Sequence, residues 1–491
     1  MQPILIVGAG PVGLVMAAEL ARYGVAVRLI DRATQPTGTS KALVIWSRTL
    51  ELMDRMGCTP AFLAAGLPAN AATLRHGTHL LGRVTLTPIA SPYNFALMLP
   101  QAETEHLLAA HLQSLGVTVE RQVELHSFTQ TPEGVAALLR HADGRTEQVQ
   151  TPYLLGCDGA HSAVRHSLGL GFLGETQADD WLLADVRLDG PGAPGPDEIA
   201  IWLHEDGPFV VFPIPGGRAR IVATLGPATP GAPPPPSLSQ IQALADARAS
   251  GGFTLTAPEW LSNFRINERK VPHYRRGRVF LAGDAAHIHS PAGGQGMNTG
   301  MQDAINLAWK LALVTRGEAT VRLLDSYDTE RNAVGDMVLR NATGMTDLAT
   351  LSNPLAQATR NFALRTLFGW HIVQEGMTAT LSETAIAYES SPLSQGEQAG
   401  LRLPPAAYAG PPPGCGNAPR FVLYAADNTL AAEFPTLLEP FARTPPDPAR
   451  LLIVRPDGYV GCSTAAGDVA PARAYLQALA GLQPVAGPHE A

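Results

Sequence analysis

The apolar residues of this chain follow two rhythms, and the changes between them set out its elements. Ile4 to Val7 (ILIV) is a short unbroken apolar run, the pattern of a strand buried in a parallel sheet. Leu14, Ala17, Ala18 and Ala21 then recur at helical spacing, and Val25 to Ile30 returns as a second apolar strand that stops at Asp31. Strand, turn, helix and strand within about thirty residues make one βαβ unit. A helix is predicted around Thr49 to Met56, and β-rich segments run on to Pro100. Glu103 to Leu115 carries Leu107, Leu108 and Leu112 on one side of a second helix. Weak strands lead to Leu155, with Asp143-Gly144 as a turn. From about Glu175 to Phe264 the pattern turns β-like, alternating in Ala184 to Leu188 and in much of Phe209 to Val222. The four prolines Pro233 to Pro236 offer no amide donors, so they belong in a loop or at a sheet edge. Arg278 to Ala282 reads as a strand, Met301 to Val314 as a long helix, and Asp325 to about Phe368 as mostly helix. Pro404 to Pro419, rich in Pro and Gly, reads as a linker. A small αβ unit follows, with strands at Arg420 to Ala425 and Leu451 to Val454 and a helix at Val469 to Leu479. No segment repeats.

Composition narrows what such a chain does. With 491 residues, 45% of them hydrophobic, it has length for roughly two to four domains with cores of their own. A net charge of −8 and only three lysines, Lys41, Lys270 and Lys310, give no electrostatic footprint for nucleic acid or an anionic membrane. Cys58, Cys157, Cys415 and Cys462 lie far apart without a CxxC, which argues against a disulfide framework or structural zinc and fits a reducing cytoplasm. The apolar N-terminus carries Glu19, Arg22 and three glycines in six residues, and no other stretch is apolar enough to span a membrane.

The 48 glycines matter for where they cluster. Gly8, Gly10 and Gly13, with Pro11 and Val12 between them, form G-x-G-x-x-G after the first strand and at the start of the first helix. Such glycines allow a tight turn, close approach of backbone to a pyrophosphate, and close packing of helix on strand. The helix N-terminus offers free N–H groups to phosphate. Asp31, followed by Arg32, ends the second strand, where a carboxylate meets ribose hydroxyls. The motif alone does not separate NAD from FAD. A second cluster, Gly277 to Gln302 (GRVFLAGDAAHIHSPAGGQGMNTGMQ), runs from a strand into Gly283-Asp284, then through Gly293, Gly294, Gly296 and Gly300 to a helix. That glycine density lets backbone lie flat against a ring or phosphate. His287 and His289 form an H-x-H pair, but the sequence places no carboxylate or Cys beside them, so no metal site is expected. Leu154 to Arg165 (LLGCDGAHSAVR) is a third strand-to-helix turn, with Asp158-Gly159 at its corner and Ser162 as the helix cap.

The second cluster resembles the second FAD fingerprint of the class A flavoprotein monooxygenases, the aromatic hydroxylases related to p-hydroxybenzoate hydroxylase. The resemblance implies that Asp284 contacts the FAD ribityl chain and pyrophosphate, and that Pro291, Gly293, Gly296, Met297 and Asn298 line the flavin ring. Asp158 resembles the Asp of the family's DG motif and is read as orienting backbone. Gln101 resembles the family's cofactor-contacting Gln, and Arg48 lies in the common RTLEL segment. Lys41 departs from the family's usual Arg and loses its planar fork. LLDSYDTER (Leu323 to Arg331) and RPDGYV (Arg455 to Val460) resemble the phenol and polyketide hydroxylase subgroup, which appends a thioredoxin-like domain. Without a CxxC, that domain is not a redox relay here.

The expected fold is therefore α/β. A Rossmann-like FAD-binding domain covers 1–174 and 265–400, a β-rich substrate domain covers 175–264 with part of 71–100, and a thioredoxin-like domain covers 401–491. The resemblance implies tightly bound FAD, NAD(P)H that docks transiently, and O2 that adds at flavin C4a to give a hydroperoxide. The oxygen would pass to a small aromatic substrate, phenolic or polyketide-like, in a monomer or homodimer. Oxygen insertion beside a ketone and a flavoprotein reductase on the same fold stay open; the W-x-W-x-I-P segment of flavin halogenases is absent. No side chain stands out as an acid or base. The Asp179-Asp180 pair reads as a loop or turn. Trp46, Trp202, Phe209 and Phe212 are the candidate pocket wall.

Overall fold

Ile4–Val7 forms a strand with every residue buried, as its apolar run requires. It lies in a six-stranded sheet ordered Arg275–Arg276, Val279–Leu281, Leu154–Gly156, Ile4–Val7, Val27–Asp31 and Val119–Arg121. All neighbours are parallel except the first pair. The computed structural model describes residues 2–38, 42–228, 231, 234–249, 251–351, 353–367 and 371–481; Lys41 and Pro233 lie outside them. The helix Pro11–Arg22 follows the first strand. Its first residue, proline, has no N–H at a position where that donor would be left over anyway. It packs on Gly296–Thr315, a helix buried almost all round, which marks it as the interior helix of the domain.

The second large sheet has eight strands, ordered His287–Ile288, Thr254–Lys270, Leu173–Asp189, Arg218–Pro227, Phe209–Ile214, Glu198–Trp202, Ala71–His76 and His79–Thr85. Two of these, Leu173–Asp189 and Thr254–Lys270, are 17 residues long. Asp179 and Asp180 lie inside the first of them, in a strand and not in the expected loop. A register shift between Asp180 and Trp181 accommodates them, and the buried Asp180 carboxylate is paired with Arg265 at 2.6 Å. A helix the alternation did not predict, Leu238–Arg248, covers one face of this sheet. Leu238, Ile241, Leu244 and Ala245 recur in it at helical spacing, and its start carries a capping box, with Ser237 and Gln240 each satisfying the other's amide.

Helices Asp325–Ala349 and Pro354–Leu367 fill the region read as helical, and His371–Leu381 extends it. The Pro- and Gly-rich stretch 404–419 is more than a linker. Gly414 accepts hydrogen bonds from Arg22 (2.9 Å) and Tyr23 (2.8 Å), and Tyr408 is buried. Proline and glycine there mark irregular backbone, whose carbonyls the guanidinium and phenol satisfy. The C-terminal unit is an antiparallel sheet of Val422–Tyr424, Arg450–Val454 and Val460–Ala465, packed by the helix Val469–Ala480. Its third strand escaped the sequence reading because Gly-Cys-Ser-Thr lacks apolar alternation.

Candidate active site

The order of the six-stranded sheet decides where the site lies. Val279–Leu281, Leu154–Gly156, Ile4–Val7 and Val27–Asp31 are consecutive and parallel, so their C-terminal ends open on one edge. That edge gathers Gly283-Asp284, Asp158, the Gly8–Gly13 turn and Asp31, and open parallel sheets bind ligands at the carboxyl ends of their strands.

The turns interlock closely at Gly8, Gly13, Gly283 and Gly300. Gly8 has φ +100°, and a Cβ there would lie 2.4 Å from the Cys157 carbonyl oxygen; one at Gly13 would lie 1.9 Å from that of Gly8. Val12 fills the space between Gly283 and Gly300, where added Cβ atoms would sit 2.7 and 2.8 Å from its methyl group. Asp31 folds back on the turn, accepting from the Ala9 amide at 2.7 Å and the Ala33 amide at 2.8 Å. Arg32 beside it is exposed. Asp158 accepts from the Val164 amide at 3.2 Å; its other carboxylate oxygen is buried without a partner among the described residues. Burial pushes its pKa up. Ser162 caps the next helix, as read, accepting from the Arg165 amide.

These features fit a dinucleotide cofactor. Gly10, alone of the three motif glycines, has nothing within 4 Å of an added Cβ, while its neighbours are packed solid. Asp284 is exposed between buried Gly283 and Ala285. FAD would be held by the Gly8–Gly13 turn, Asp158 and Asp284, with Pro291, Gly293, Gly296 and Met297 in the loop that follows. Gln101 heads a helix and accepts from the Ala42 amide at 3.3 Å.

Two of the expected cofactor residues have their side chains held by protein. Asn298 is fully buried, and its amide group holds protein: it accepts from the Trp46 amide at 2.8 Å and donates to the Val44 and Gly294 carbonyls, each at 2.9 Å. Trp46 in turn donates its indole N–H to the Gly293 carbonyl at 2.8 Å. Arg48 is buried against Glu51 (3.0 Å) and the Asp457 carbonyl (2.6 Å) of the C-terminal unit.

The wall candidates also divide. Along Glu198–Trp202 and Phe209–Ile214 the pleat sends Ala200, Trp202, Phe209 and Val211 into the core beneath Leu238–Arg248. It sends Ile199, Ile201, Val210, Phe212 and Ile214 to the other face, where they pack with Trp46, Val44, Met98 and Leu381. Phe212 and Trp46 therefore share the apolar cluster beside the Gly293–Gly294 loop, and Trp202 and Phe209 do not. The alternation was in the sequence; which parity faces the loop was not.

The sequence reading missed a carboxylate behind the Gly-Asp turn. Asp303, from the interior helix, accepts from the Gly283 amide (3.0 Å), His287 Nε2 (2.8 Å) and Arg331 Nε (2.6 Å). His287 is therefore committed to Asp303. The His289 ring stacks on it with centroids 6.4 Å apart, and burial together with His287 pushes His289 down to about 4. Elsewhere, His204, Glu205 and Asp206 cluster on a turn, where His204 Nδ1 already accepts from the Asp206 amide.

The sequence profile of the FAD binding domain family matches residues 1–342. The chain belongs to the class A FAD-dependent aromatic hydroxylases. It is 41% identical over 403 residues to 6-methylpretetramide 4-monooxygenase of Streptomyces rimosus, covering 80% of this chain and 71% of that protein. It is 34% identical over 417 residues to pentachlorophenol 4-monooxygenase of Sphingobium chlorophenolicum, covering 83% and 76%. The anhydrotetracycline hydroxylase structure from Streptomyces rimosus covers 98% of this chain and 99% of its own, with a TM-score of 0.78 at 30% identity. That likeness includes the C-terminal unit. This hydroxylase-family chain is thus a flavoprotein monooxygenase, and among its described residues no helix is long and apolar enough to cross a membrane.

Proposed function

We propose that this monooxygenase consumes NAD(P)H and O2 to hydroxylate a phenolic or aromatic polyketide substrate. The observation that supports it most directly is the placement of an apolar cluster, built from Trp46, Phe212, Ile199, Ile201 and Leu381, against the loop expected to carry the flavin ring. When bound, FAD supplies the redox chemistry that activates oxygen. The chain's own residues bind and orient. Gly8, Gly10 and Gly13 let backbone amides meet the pyrophosphate, Trp46 fixes the Gly293 carbonyl, and the apolar wall excludes water while a flat ring lies against it. Among the described residues Gly8 to Gly13 is the one G-x-G-x-x-G run that joins a strand to a helix, since Gly169 to Gly174 and Gly190 to Gly195 lead into strands; the nicotinamide cofactor therefore visits the same cleft transiently.

The test is NADPH oxidation by the yellow holoenzyme against a panel of phenols and polycyclic quinones, with product mass and lactone formation followed. A product heavier by one oxygen with a retained carbon skeleton supports the reading. Peroxide alone with every panel member, or protein that takes up no FAD, overturns it.

A further inference from the structure

Two stretches of the sequence have no task at the strand ends: LLDSYDTER and RPDGYV. The fold brings them together. Arg455 is fully buried and binds Glu330 through both terminal nitrogens, at 2.7 and 2.9 Å, while pairing with Asp457 at 2.6 Å. The Asp457 carboxylate also accepts from the Trp309 indole at 3.1 Å, and Lys310 reaches Glu330 at 2.8 Å. Trp309 and Lys310 lie on Gly296–Thr315, the helix that starts in the Gly-rich loop.

The other side of the same turn holds a different helix. The Asp457 carbonyl accepts from Arg48 at 2.6 Å, and the Pro456 carbonyl accepts from Arg55. Arg48 lies in the first turn of the helix Ser47–Asp54, and Arg55 directly follows its last residue. Trp46, directly before that helix, grips Gly293 and Asn298. Both halves of the junction that shapes the Gly-rich loop are therefore seated on one turn of the C-terminal unit. A guanidinium in a buried site fixes its partners by direction as well as charge, which an ammonium does not.

We propose that the turn Arg455–Gly458 is a positioning element for the cofactor loop, acting through Arg48 and through the helix Gly296–Thr315. The C-terminal unit thereby acts on flavin binding without supplying a group to the chemistry. This rests only on FAD occupying the strand ends.

Gly458 provides a probe at the turn itself. It has φ +80°, and a Cβ would lie 3.1 Å from the Tyr408 hydroxyl and 3.8 Å from Arg48 Nη2. Gly458→Ala is expected to weaken FAD retention on dilution about tenfold, to alter the visible circular dichroism of the bound flavin, and to raise the peroxide released per NADPH. Arg48→Met shifts all three the same way, and Arg48→Lys restores part of the effect. Arg473→Ala removes an exposed ion pair with Glu433 (2.7 Å) in the same unit and leaves all three unchanged. Wild-type FAD retention and flavin spectrum in folded Gly458→Ala and Arg48→Met overturn the proposal. If Gly458→Ala does not fold, Arg48→Lys decides: weaker retention supports the proposal, and wild-type retention and spectrum overturn it. A wild-type protein that holds no FAD instead removes the cofactor assignment itself.

Discussion

A Cβ at Gly10 meets open space, whereas one at Gly13 lies 1.9 Å from the Gly8 carbonyl oxygen. The two glycines answer to different demands, the first to a ligand and the second to the chain's own packing. Gly10→Ala should keep the melting temperature of the apoprotein and weaken FAD binding by about tenfold or more, read by flavin fluorescence. Gly13→Ala should lower the melting temperature itself, because backbone cannot yield as a flexible side chain does. Glu383 is a second residue whose surroundings set its behaviour. It is buried with φ +60°, accepts from the Thr299 hydroxyl (2.6 Å) and from Gln302, and burial pushes it up to about 7 from an ordinary 4.5. The folded carboxyl keeps its proton where the unfolded chain has released it. Stability therefore falls as pH rises from about 4.5 to about 7 and is level above that. Glu383→Gln should flatten this window, by at most about 3 kcal/mol, in urea melts at several pH values.

At the scale of elements, period-two alternation assigns neighbouring residues to different tasks. Phe209 lies in the core beneath Leu238–Arg248, and Phe212, three residues on, faces the cluster with Trp46. Phe209→Ala should cost about 3–5 kcal/mol of stability by denaturant unfolding, with KM for an accepted phenol nearly unchanged. Phe212→Ala should shift KM and the ratio of product to peroxide while costing less stability. An equal effect of the two substitutions on KM would show that the chamber lies elsewhere. The interior helix Gly296–Thr315 joins these tasks, since its start carries the Gly-rich loop, Asp303 holds the Gly283 amide, and Lys310 reaches Glu330.

At the scale of the molecule, buried charge ties the C-terminal unit to the helices Gly296–Thr315 and Asp325–Ala349. Glu330 illustrates the balance. Burial pushes its carboxyl up, but Arg455 and Lys310 more than offset that and hold it well below its ordinary value. Such a group contributes stability above its unfolded pKa that is lost as acid protonates it. Arg455→Met leaves Glu330 and Asp457 buried without their main partner and should destabilise the whole chain by about 3–5 kcal/mol in urea unfolding. A loss confined to the C-terminal unit, seen as a separate early transition, would show that the two parts fold independently.

Much of this was legible in the chain order of residues. Glycine spacing, the Asp at the end of the second strand and the Gly-Asp-to-Gly-rich run announced a cofactor site because the demands they answer, tight turns and close backbone approach, are local. For Trp202, Phe209, Asn298 and Arg48, residue type and neighbourhood are all that the sequence displays. Their placement depended on which parity of a strand meets the loop, and on which distant turn claims an amide or a guanidinium. Likewise, nothing near His287 announced Asp303, and DSYDTER and RPDGYV, 125 positions apart at Glu330 and Arg455, became one buried junction only when the helices packed. The sequence by itself determined most of the elements, the glycine turns and the family. The tertiary structure decided the facing of the wall and the seating of the C-terminal turn, because sheet order and helix burial pair residues that no local period relates.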